Sequence, residues 1–293
     1  MTVKIRPLLV SPCRATCHLP PATGSATLVA MKVAILCQEE PVFLYGFLQG
    51  VLCERPSSVC AVFLAGRRGG GERTRTRAQR REALRVYWLI MEPRGFLGSI
   101  WLRARARLLG PRDPRSVEGL ARRLGIPVCR IDDPNAPAFR ERLRETGVDI
   151  VLNQSERLLK PEVLAVPRRG FVNRHASLLP RFRGRLASFR AHAAEPPSYG
   201  VTIHQVGEGI DTGDIILQEE FRDIPARLPY PQVARALFSR APRIFWLAMD
   251  RMVEPGFRPK PNEPCDAPFK FPTLEEARNY RRIMRMRRGG GGR

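Results

Sequence analysis

The sequence predicts an α/β protein with a Rossmann-like, open and mostly parallel sheet and a helical, arginine-rich insertion. Two observations lead to this prediction. Short apolar runs suited to buried strands alternate with segments of helical spacing, first along residues 31–65 and again along residues 116–153, and the stretch between them is dominated by arginine. With 293 residues, 43% of them hydrophobic, the chain is long enough to bury a substantial core.

The first unit of the predicted sheet begins with MKVAILC at residues 31–37, a continuous apolar run that predicts a strand buried on both faces. Residues 41–53 have helix-like spacing, and residues 58–65 form a second apolar run. Strand, helix and strand at this spacing predict a βαβ unit with two parallel strands.

The same alternation returns after residue 115. Residues 116–131 predict a helix with Ser116 as its N-cap, followed by a strand, and residues 139–153 repeat the pattern with Gly147 as the helix stop. Two such units in succession indicate an open parallel sheet. Sheets of this kind bind ligands beyond the carboxyl ends of their strands.

Residues 66–115 interrupt this pattern with a strongly basic stretch. Residues 66–123 contain 16 Arg and 5 acidic residues, so this stretch carries a net charge of +11, half of the +22 of the whole chain. One interpretation is a surface that grips a polyanion, helped by Tyr87, Trp88 and Trp101. The favoured interpretation is a helical pair broken at Pro93, with apolar faces packed on the domain or on a second subunit and arginines in water.

The C-terminal half of the chain predicts two more strands, at residues 199–206 and 214–221, joined by GEGIDTG. A helix is predicted near residues 230–252, where Pro242 must end or kink it. The final RMRRGGGGR is predicted to be a disordered tail.

The amino-acid composition indicates in which cellular compartment the protein works and which class of partner it binds. Of the 50 Lys and Arg residues 45 are Arg, a skew that fits GC-rich coding as well as a binding face, so charge argues only weakly for a polyanionic partner. Seven cysteines without a CxxC pair indicate a reducing cytoplasm. No metal site is expected, because Cys13, Cys17 and His18 lack a fourth ligand at suitable spacing. No uncharged stretch approaches the roughly 18 residues of a membrane span.

The residues that carry chemistry follow the strand-like RGFVN. Asn173 and His175 lie two positions apart, so their side chains point the same way at the end of a strand. Asp211 lies 36 positions after His175, on a glycine-rich connection that can return to the same edge of the sheet. His204, in a predicted strand, is interpreted as structural.

These residues stand in two linked motifs, NRHASLLPRFRG and YGVTIHQVGEGIDTGDII. Together the motifs resemble the signature of the folate-dependent formyltransferases, the family of glycinamide ribonucleotide transformylase, methionyl-tRNA formyltransferase and the sugar N-formyltransferases. In that family the pattern is N-x-H-x-S-L-L-P, a nearby R/K-G, then G-V-T and D-x-G. The similarity extends over roughly residues 31–225 and implies the formyltransferase fold.

The resemblance implies that Asn173, His175 and Asp211 are the catalytic residues. An amine attacks the formyl carbon of N10-formyltetrahydrofolate, and the carbonyl oxygen becomes an oxyanion. The Asn173 amide and a protonated His175 would stabilise this oxyanion by hydrogen bonds. Asp211 would hold His175 in its charged form and assist the transfer of the proton that the amine loses. The reaction requires no metal.

The resemblance also implies where the donor binds. The folate pterin is expected between residues 153–159 (NQSERLL) and the backbone of residues 206–211 (VGEGID). The expected contacts are Arg157, Leu158, Leu159, Val206, Glu208, Gly209 and Ile210. Many relatives carry a small residue and an aromatic where this chain has residues 153–156 (NQSE), so this pocket is expected to be more polar.

The acceptor is expected to contact Ser177. Its phosphate oxygens are expected to bind either Arg183 or the basic insertion, because a guanidinium can bind a phosphate through two hydrogen bonds.

The predicted organisation is a loose extension over residues 1–30, a catalytic domain over residues 31–255 that includes the basic helical insertion at 66–115, and a C-terminal segment with a disordered tail over residues 256–293. Too few residues follow the predicted helix near 252 for the C-terminal domain of methionyl-tRNA formyltransferases. A small acceptor is therefore expected rather than tRNA.

The predicted function is transfer of a formyl group from N10-formyltetrahydrofolate to the primary amine of a small, phosphorylated or nucleotide-linked acceptor. The expected partner is this small molecule, with no membrane and no nucleic acid, and a homodimer is left open. Two alternatives remain: a nucleic-acid-binding protein without catalysis that uses the arginine-rich insertion, and a formyltetrahydrofolate hydrolase in which water replaces the amine.

Overall fold

The computed structural model describes residues 31–66, 76–263 and 266–289. The predicted extension over residues 1–30, part of the arginine-rich insertion and the last four residues of the predicted tail lie outside the described residues.

The described residues form one seven-stranded sheet. Its strands are β1 Val33–Cys37, β2 Val59–Ala65, β3 Val128–Ile131, β4 Ile150–Gln154, β5 Phe171–His175, β6 Gly200–Gln205 and β7 Ile215–Glu220. The order across the sheet is β3-β2-β1-β4-β5-β6-β7. Strands β1 to β5 pair in parallel, whereas β6 and β7 pair antiparallel. The predicted open, mostly parallel sheet is confirmed.

Helices cover both faces of this sheet. In chain order they are α1 Leu44–Glu54, α2 Arg77–Leu109, α3 Val117–Arg123, α4 Pro137–Thr146, α5 Pro161–Leu164, α6 Ala187–Ala193, α7 Tyr230–Met252 and α8 Leu274–Gly289. The strand, helix and strand predicted within residues 31–65 correspond to β1, α1 and β2. Both predicted caps are observed as well: Ser116 accepts the N–H of Gly119 at the start of α3, and Gly147 ends α4 with a left-handed φ of 60°.

Alternate residues of the central strands face two separate apolar layers. Leu152 and Val172 belong to the layer that α1 and α7 cover. Val151 and Phe171 belong to the opposite layer, which includes Phe139 of α4. Because side-chain direction alternates along a strand, the polar residues that follow at the ends of β4 and β5 are divided between the same two faces.

The predicted helical insertion is present as α2. Thr76 caps the helix, accepting a hydrogen bond from the N–H of Gln79, while the Gln79 side chain accepts one from the N–H of Thr76. The helix is broken at Glu92, whose φ of 57° and ψ of 161° are not helical, immediately before Pro93. The break at Pro93 that the sequence predicts is therefore observed.

The two halves of α2 differ in burial. Val86 and Ile90, before the break, are buried in an apolar cluster that includes residues of α8. Leu97, Trp101 and Leu108, after the break, are 59%, 58% and 84% exposed. The interpretation of α2 as a helix packed on the domain thus describes its first half, and the second half presents apolar side chains among arginines.

Helix α7 continues across Pro242, so of the two outcomes predicted for this residue, an end or a kink, the end is wrong and the kink stays a prediction. The ring of Pro242 is buried against α1 at Gly50, where an added Cβ would lie only 2.3 Å from the proline Cγ. Close packing of α1 on α7 at this point favours the helical path in spite of the missing backbone donor.

The C-terminal tail also differs from its prediction. Residues 285–289 continue α8 instead of being disordered. Arg287 fastens this helix to the domain, because its guanidinium donates to the carbonyl oxygens of His192 and Ala194, both at 2.7 Å. Within the described ranges no helix combines the length and the apolar character needed to cross a membrane.

Candidate active site

The candidate site lies at the carboxyl end of β5, between β4 and β6. Strand β5 ends at His175. Asn173 lies opposite Asn153 of β4 on one side and opposite His204 of β6 on the other. Asn173, His175 and His204 therefore point to one face of the sheet.

Asp211 reaches this face from the loop between β6 and β7. Its Oδ2 lies 3.4 Å from Nδ1 of His175 and accepts the N–H of Gly184 at 2.8 Å. Asp211 has a left-handed φ of 52°, a conformation that Asp adopts more readily than most residues. The loop also requires Gly213, because a Cβ there would lie 1.9 Å from the carbonyl oxygen of Gln205. This tight turn brings the carboxylate against the imidazole.

The C-terminal segment braces the same loop. Nδ2 of Asn262 donates to the carbonyl oxygens of Asp211 and Gly213, both at 3.0 Å. Asn262 is a residue of this loop that the sequence does not indicate, since nothing local in the segment around residue 262 shows that it packs on a loop about fifty positions earlier.

Both ring nitrogens of His175 face polar groups. Nε2 lies 2.9 Å from the carbonyl oxygen of Phe182, which can only accept, so Nε2 carries a proton. Nδ1 faces the carboxylate of Asp211. Phe182 itself has a left-handed φ of 55°, which is uncommon for a bulky residue. The ring is 7% exposed and held by this loop.

His204, interpreted as structural from the sequence, belongs to the site. Burial and the neighbouring His175 lower the pKa of His204 to about 4, although Asp211 opposes this shift, so the ring is neutral near pH 7. Its Nδ1 lies 2.7 Å from the carbonyl oxygen of Gln205 and therefore carries the single proton. Nε2 is left as a buried acceptor 3.6 Å from Oδ1 of Asp211, and no hydrogen-bond partner for it occurs among the described residues.

The amide of Asn173 is oriented by a neighbour on β4. Nε2 of Gln154 donates to Oδ1 of Asn173 at 2.6 Å. The Asn173 Nδ2 group is thus the end of the amide that is directed away from Gln154, and within the described part of the chain no hydrogen bond from it is observed. A donor of this kind on the same face of the sheet as the Nε2–H of His175 can bind a developing negative charge on oxygen.

The residues predicted to contact the folate lie on the loops that follow β4 and β6. Leu159 is buried in the layer that includes residues of α4, so its backbone is the part that can face a ligand, whereas Val206 packs against the same layer and stays partly exposed. Leu158 and Ile210 are 63% and 43% exposed, and Glu208 and Gly209 are exposed too. Arg157 is partly buried, with its guanidinium 3.5 Å from the carbonyl oxygen of Gly66.

The two residues predicted to bind the acceptor have structural partners. Ser177 is 1% exposed, and its hydroxyl donates to the carbonyl oxygen of Phe182 at 3.3 Å. Arg183 is 8% exposed, and its guanidinium donates to the carbonyl oxygen of Asp266. A shallow pocket adjoins this loop, lined by Pro180, Arg181, Phe182, Arg183, Asp266, Ala267 and Phe269. An acceptor role for Ser177 and Arg183 stays a prediction.

Comparison with known proteins relates the region around this site to a family. Residues 130–235 match the Formyl transferase family. A methionyl-tRNA formyltransferase of Chlorobium phaeovibrioides is 35% identical over 117 residues, which is 40% of this chain and 37% of that protein. The methionyl-tRNA formyltransferase of Stenotrophomonas maltophilia is 35% identical over 147 residues, which is 50% of this chain and 44% of that protein. The alignments thus span less than half the length of these relatives.

A solved structure shares the fold. Glycinamide ribonucleotide transformylase 1 from Symbiobacterium toebii superposes with a TM-score of 0.51 at 22% identity, covering 83% of this chain and 100% of that chain. Together with the family match, this likeness confirms the predicted fold class and the predicted resemblance.

Proposed function

We propose that this chain, whose residues 130–235 match the Formyl transferase family, transfers a formyl group from N10-formyltetrahydrofolate to an amine. The acceptor in this proposal is the primary amine of a small, phosphorylated or nucleotide-linked molecule. Asn173 and His175 stabilise the oxyanion, and Asp211 keeps His175 charged and assists proton transfer.

The observation that supports the proposal most directly is the convergence of three groups from separate parts of the chain. The Asn173 amide, the His175 imidazole and the Asp211 carboxylate lie on one face of the sheet, with Nδ1 of His175 3.4 Å from Oδ2 of Asp211. Acyl transfer needs hydrogen-bond donors held in advance where negative charge develops, and an acceptor for the proton that the attacking amine loses.

The proposed reaction proceeds through a tetrahedral intermediate. The amine nitrogen forms a bond to the formyl carbon, and the carbonyl electron pair moves onto oxygen, which accepts hydrogen bonds from Nδ2 of Asn173 and from the His175 ring. Because Nε2 of His175 donates to the carbonyl oxygen of Phe182 at 2.9 Å, the substrate oxygen has to replace that carbonyl as its acceptor. The oxyanion then re-forms the carbonyl as the bond to N10 breaks, and N10 leaves with the proton that Asp211 took from the amine, which returns Asp211 to its carboxylate form.

His204 favours proton uptake by Asp211. Nε2 of His204 lies 3.6 Å from Oδ1 of Asp211, so when Asp211 takes a proton, a small approach of the two side chains allows its new O–H to donate to this bare nitrogen. This hydrogen bond exists only in the protonated state of Asp211, so it favours proton uptake at the moment the amine deprotonates. The neutral state of His204 is required, and burial provides it.

The loops beside β5 fit a flat, partly apolar donor such as a pterin. Leu158 and Ile210 offer exposed apolar side chains, one on each loop, and both loops offer backbone polar groups for the edges of a ring. This disposition supports contacts from Leu158, Glu208, Gly209 and Ile210 by side chain or backbone, and from Arg157, Leu159 and Val206 chiefly by backbone.

The test is incubation with N10-formyltetrahydrofolate and a panel of amino sugars and amino nucleotides, with mass spectrometry for a gain of one formyl unit. We expect one class of amine to be formylated, and we expect His175→Ala to abolish the reaction without unfolding the protein. Formate release without an acceptor would favour the hydrolase instead. Equal activity of the wild type and His175→Ala would overturn the proposal.

A further inference from the structure

We propose that Arg174 and Gln154 are positioning residues that fix the orientation of the Asn173 amide, so that Nδ2 and not Oδ1 faces the reacting carbonyl. The inference rests on the proposed function for its meaning, but the orientation itself can be measured without any enzymatic activity. It also gives a role to Gln154, which lies in the polar run where the sequence departs from its family.

The fixed end of this arrangement is the guanidinium of Arg174. Arg174 points to the face of the sheet opposite Asn173, where its guanidinium carbon lies 5.0 Å from the ring centre of Phe47 and 3.9 Å from that of Phe238. It is 8% exposed, and no carboxylate lies within 4 Å among the described residues. Burial lowers the pKa of Arg174 to about 10, so the group remains cationic near pH 7. A guanidinium donates hydrogen bonds and cannot accept them.

Gln154 has a fixed amide orientation because both its oxygen and its NH2 group are hydrogen-bonded. Oε1 accepts from Nε and Nη2 of Arg174 at 3.2 and 2.8 Å. Nε2 donates one hydrogen to the carbonyl oxygen of Asn153 at 2.8 Å and the other to Oδ1 of Asn173 at 2.6 Å. The reversed amide would turn an NH2 group toward the guanidinium and an oxygen toward the Asn153 carbonyl, and both contacts would be repulsive.

Asn173 is the last residue in the series of hydrogen bonds that runs from Arg174 through Gln154. The donor on Gln154 requires an acceptor opposite it, and only Oδ1 of Asn173 can accept. Nδ2 is therefore the end that faces the site. If the amide were reversed, a carbonyl oxygen would face the developing oxyanion and repel it. Arg174 and Gln154 thus determine, through Asn173, whether the site stabilises or destabilises negative charge.

Two substitutions of Gln154 separate this role from a general structural one. Gln154→Glu keeps the size of the side chain and forms an ion pair with Arg174, but it presents only acceptors, so Asn173 must reverse and donate to it. Gln154→Leu removes every hydrogen bond of the side chain and leaves the guanidinium without its acceptor, but it does not force Asn173 to reverse. A structural role makes Leu the more harmful change, whereas an orienting role makes Glu the more harmful one for activity.

The first measurement is hydrogen exchange of side-chain amides by NMR on the full chain, with the Asn173 signal identified by its loss in Asn173→Ala. In the wild type we expect slow exchange of the Gln154 amide hydrogens and fast exchange of those of Asn173. In Gln154→Glu the Asn173 hydrogens should become protected. Protected Asn173 hydrogens in the wild type, or no change in Gln154→Glu, would overturn the inference even if the chain had no transferase activity.

The second measurement is kinetic, and uses an acceptor identified by the amine panel. We expect kcat to fall by about 10²-fold to 10³-fold in Gln154→Glu, the loss typical of a missing oxyanion donor, and by no more than about 10-fold in Gln154→Leu. Thermal stability should follow the opposite order, with Leu the less stable variant. The same change at an exposed site on α7, Gln232→Glu, is the matched control and should leave kcat unchanged.

A double variant completes the test. If Gln154 acts through Asn173, Gln154→Glu combined with Asn173→Ala should be no slower than Asn173→Ala alone. Multiplying losses would show that Gln154 acts by another route and would contradict the inference. An inactive wild type with the expected exchange pattern would instead refute the proposed function and leave the orienting role standing.

Discussion

The substitution Asp211→Asn tests the electrostatic core of the proposed site with almost no change in shape. Oδ2 of Asp211 lies 3.4 Å from Nδ1 of His175, and the two side chains are 11% and 7% exposed. Two unit charges at this distance attract by about 5 kcal/mol at an effective dielectric constant of about 20. Because desolvation of the pair offsets part of this energy, we expect about 2 to 4 kcal/mol to be lost from transition-state stabilisation.

This loss corresponds to a fall in kcat of roughly 30-fold to 10³-fold. The fold should survive, because an asparagine oxygen can still accept the N–H of Gly184, and Asn262 still donates to the backbone of residue 211. The new amide would donate to Nδ1 of His175 and so favour the neutral ring, with its proton on Nε2.

The assay combines kinetics with 15N NMR of the histidine rings, which is tractable because the chain has 4 histidines. Near pH 7 we expect the 15N signals of the His175 ring to differ between the wild type and Asp211→Asn, because the carboxylate that faces Nδ1 is replaced by an amide. Asp214→Asn, the same change three positions further along the loop, is the control and should leave the His175 signals and kcat unchanged. If the His175 signals are the same in the wild type and in Asp211→Asn, and kcat changes less than about threefold, the reasoning is wrong.

Three further predictions concern other parts of the molecule. Gly213→Ala should displace the Asp211 loop, since its Cβ would lie 1.9 Å from the carbonyl oxygen of Gln205; kcat should fall by at least about 10²-fold, whereas Gly98→Ala, with open space around it, should gain up to about 1 kcal/mol of stability in denaturant unfolding. Burial, reinforced by Arg287, lowers the pKa of His192 from 6.5 to about 4, so the unfolded chain binds a proton first as the pH falls. The free energy of unfolding should therefore fall by about 1.4 kcal/mol per pH unit as the pH decreases from 6.5 to 4. The urea midpoint of His192→Phe should fall less steeply over this range, and equal slopes for the variant and the wild type would refute this assignment. Replacing the exposed Arg80, Arg81 and Arg85 of α2 by Gln should leave formyl transfer within about twofold, as expected for charges in water; lost activity together with lost, salt-sensitive nucleic-acid binding would favour the nucleic-acid alternative.

The local pattern of the sequence was sufficient for most of the fold. Strands of continuous apolar residues and helices with a cap such as Ser116 or a stop such as Gly147 are encoded within a few positions, and the structure contains them near the predicted residues. At Pro242 only the predicted end of the helix is wrong, because the helix-breaking tendency of proline is local, whereas the packing of α7 on α1 at Gly50 that favours a continuous helix is not.

The positions of the site residues are likewise determined partly by the local sequence and partly by tertiary contacts. The spacing of Asn173 and His175 determines that both side chains lie on one face, since a strand repeats every two residues. The antiparallel register of β6 decides that His204 joins them, and a tight turn with a left-handed Asp211 decides that the carboxylate returns to His175. The sequence by itself therefore determined the order of the strands and helices along the chain and the chemical groups available. The tertiary structure alone decided which of these groups meet, because register, loop return and the hydrogen bonds from Arg174 through Gln154 to Asn173 depend on contacts between segments far apart in the chain.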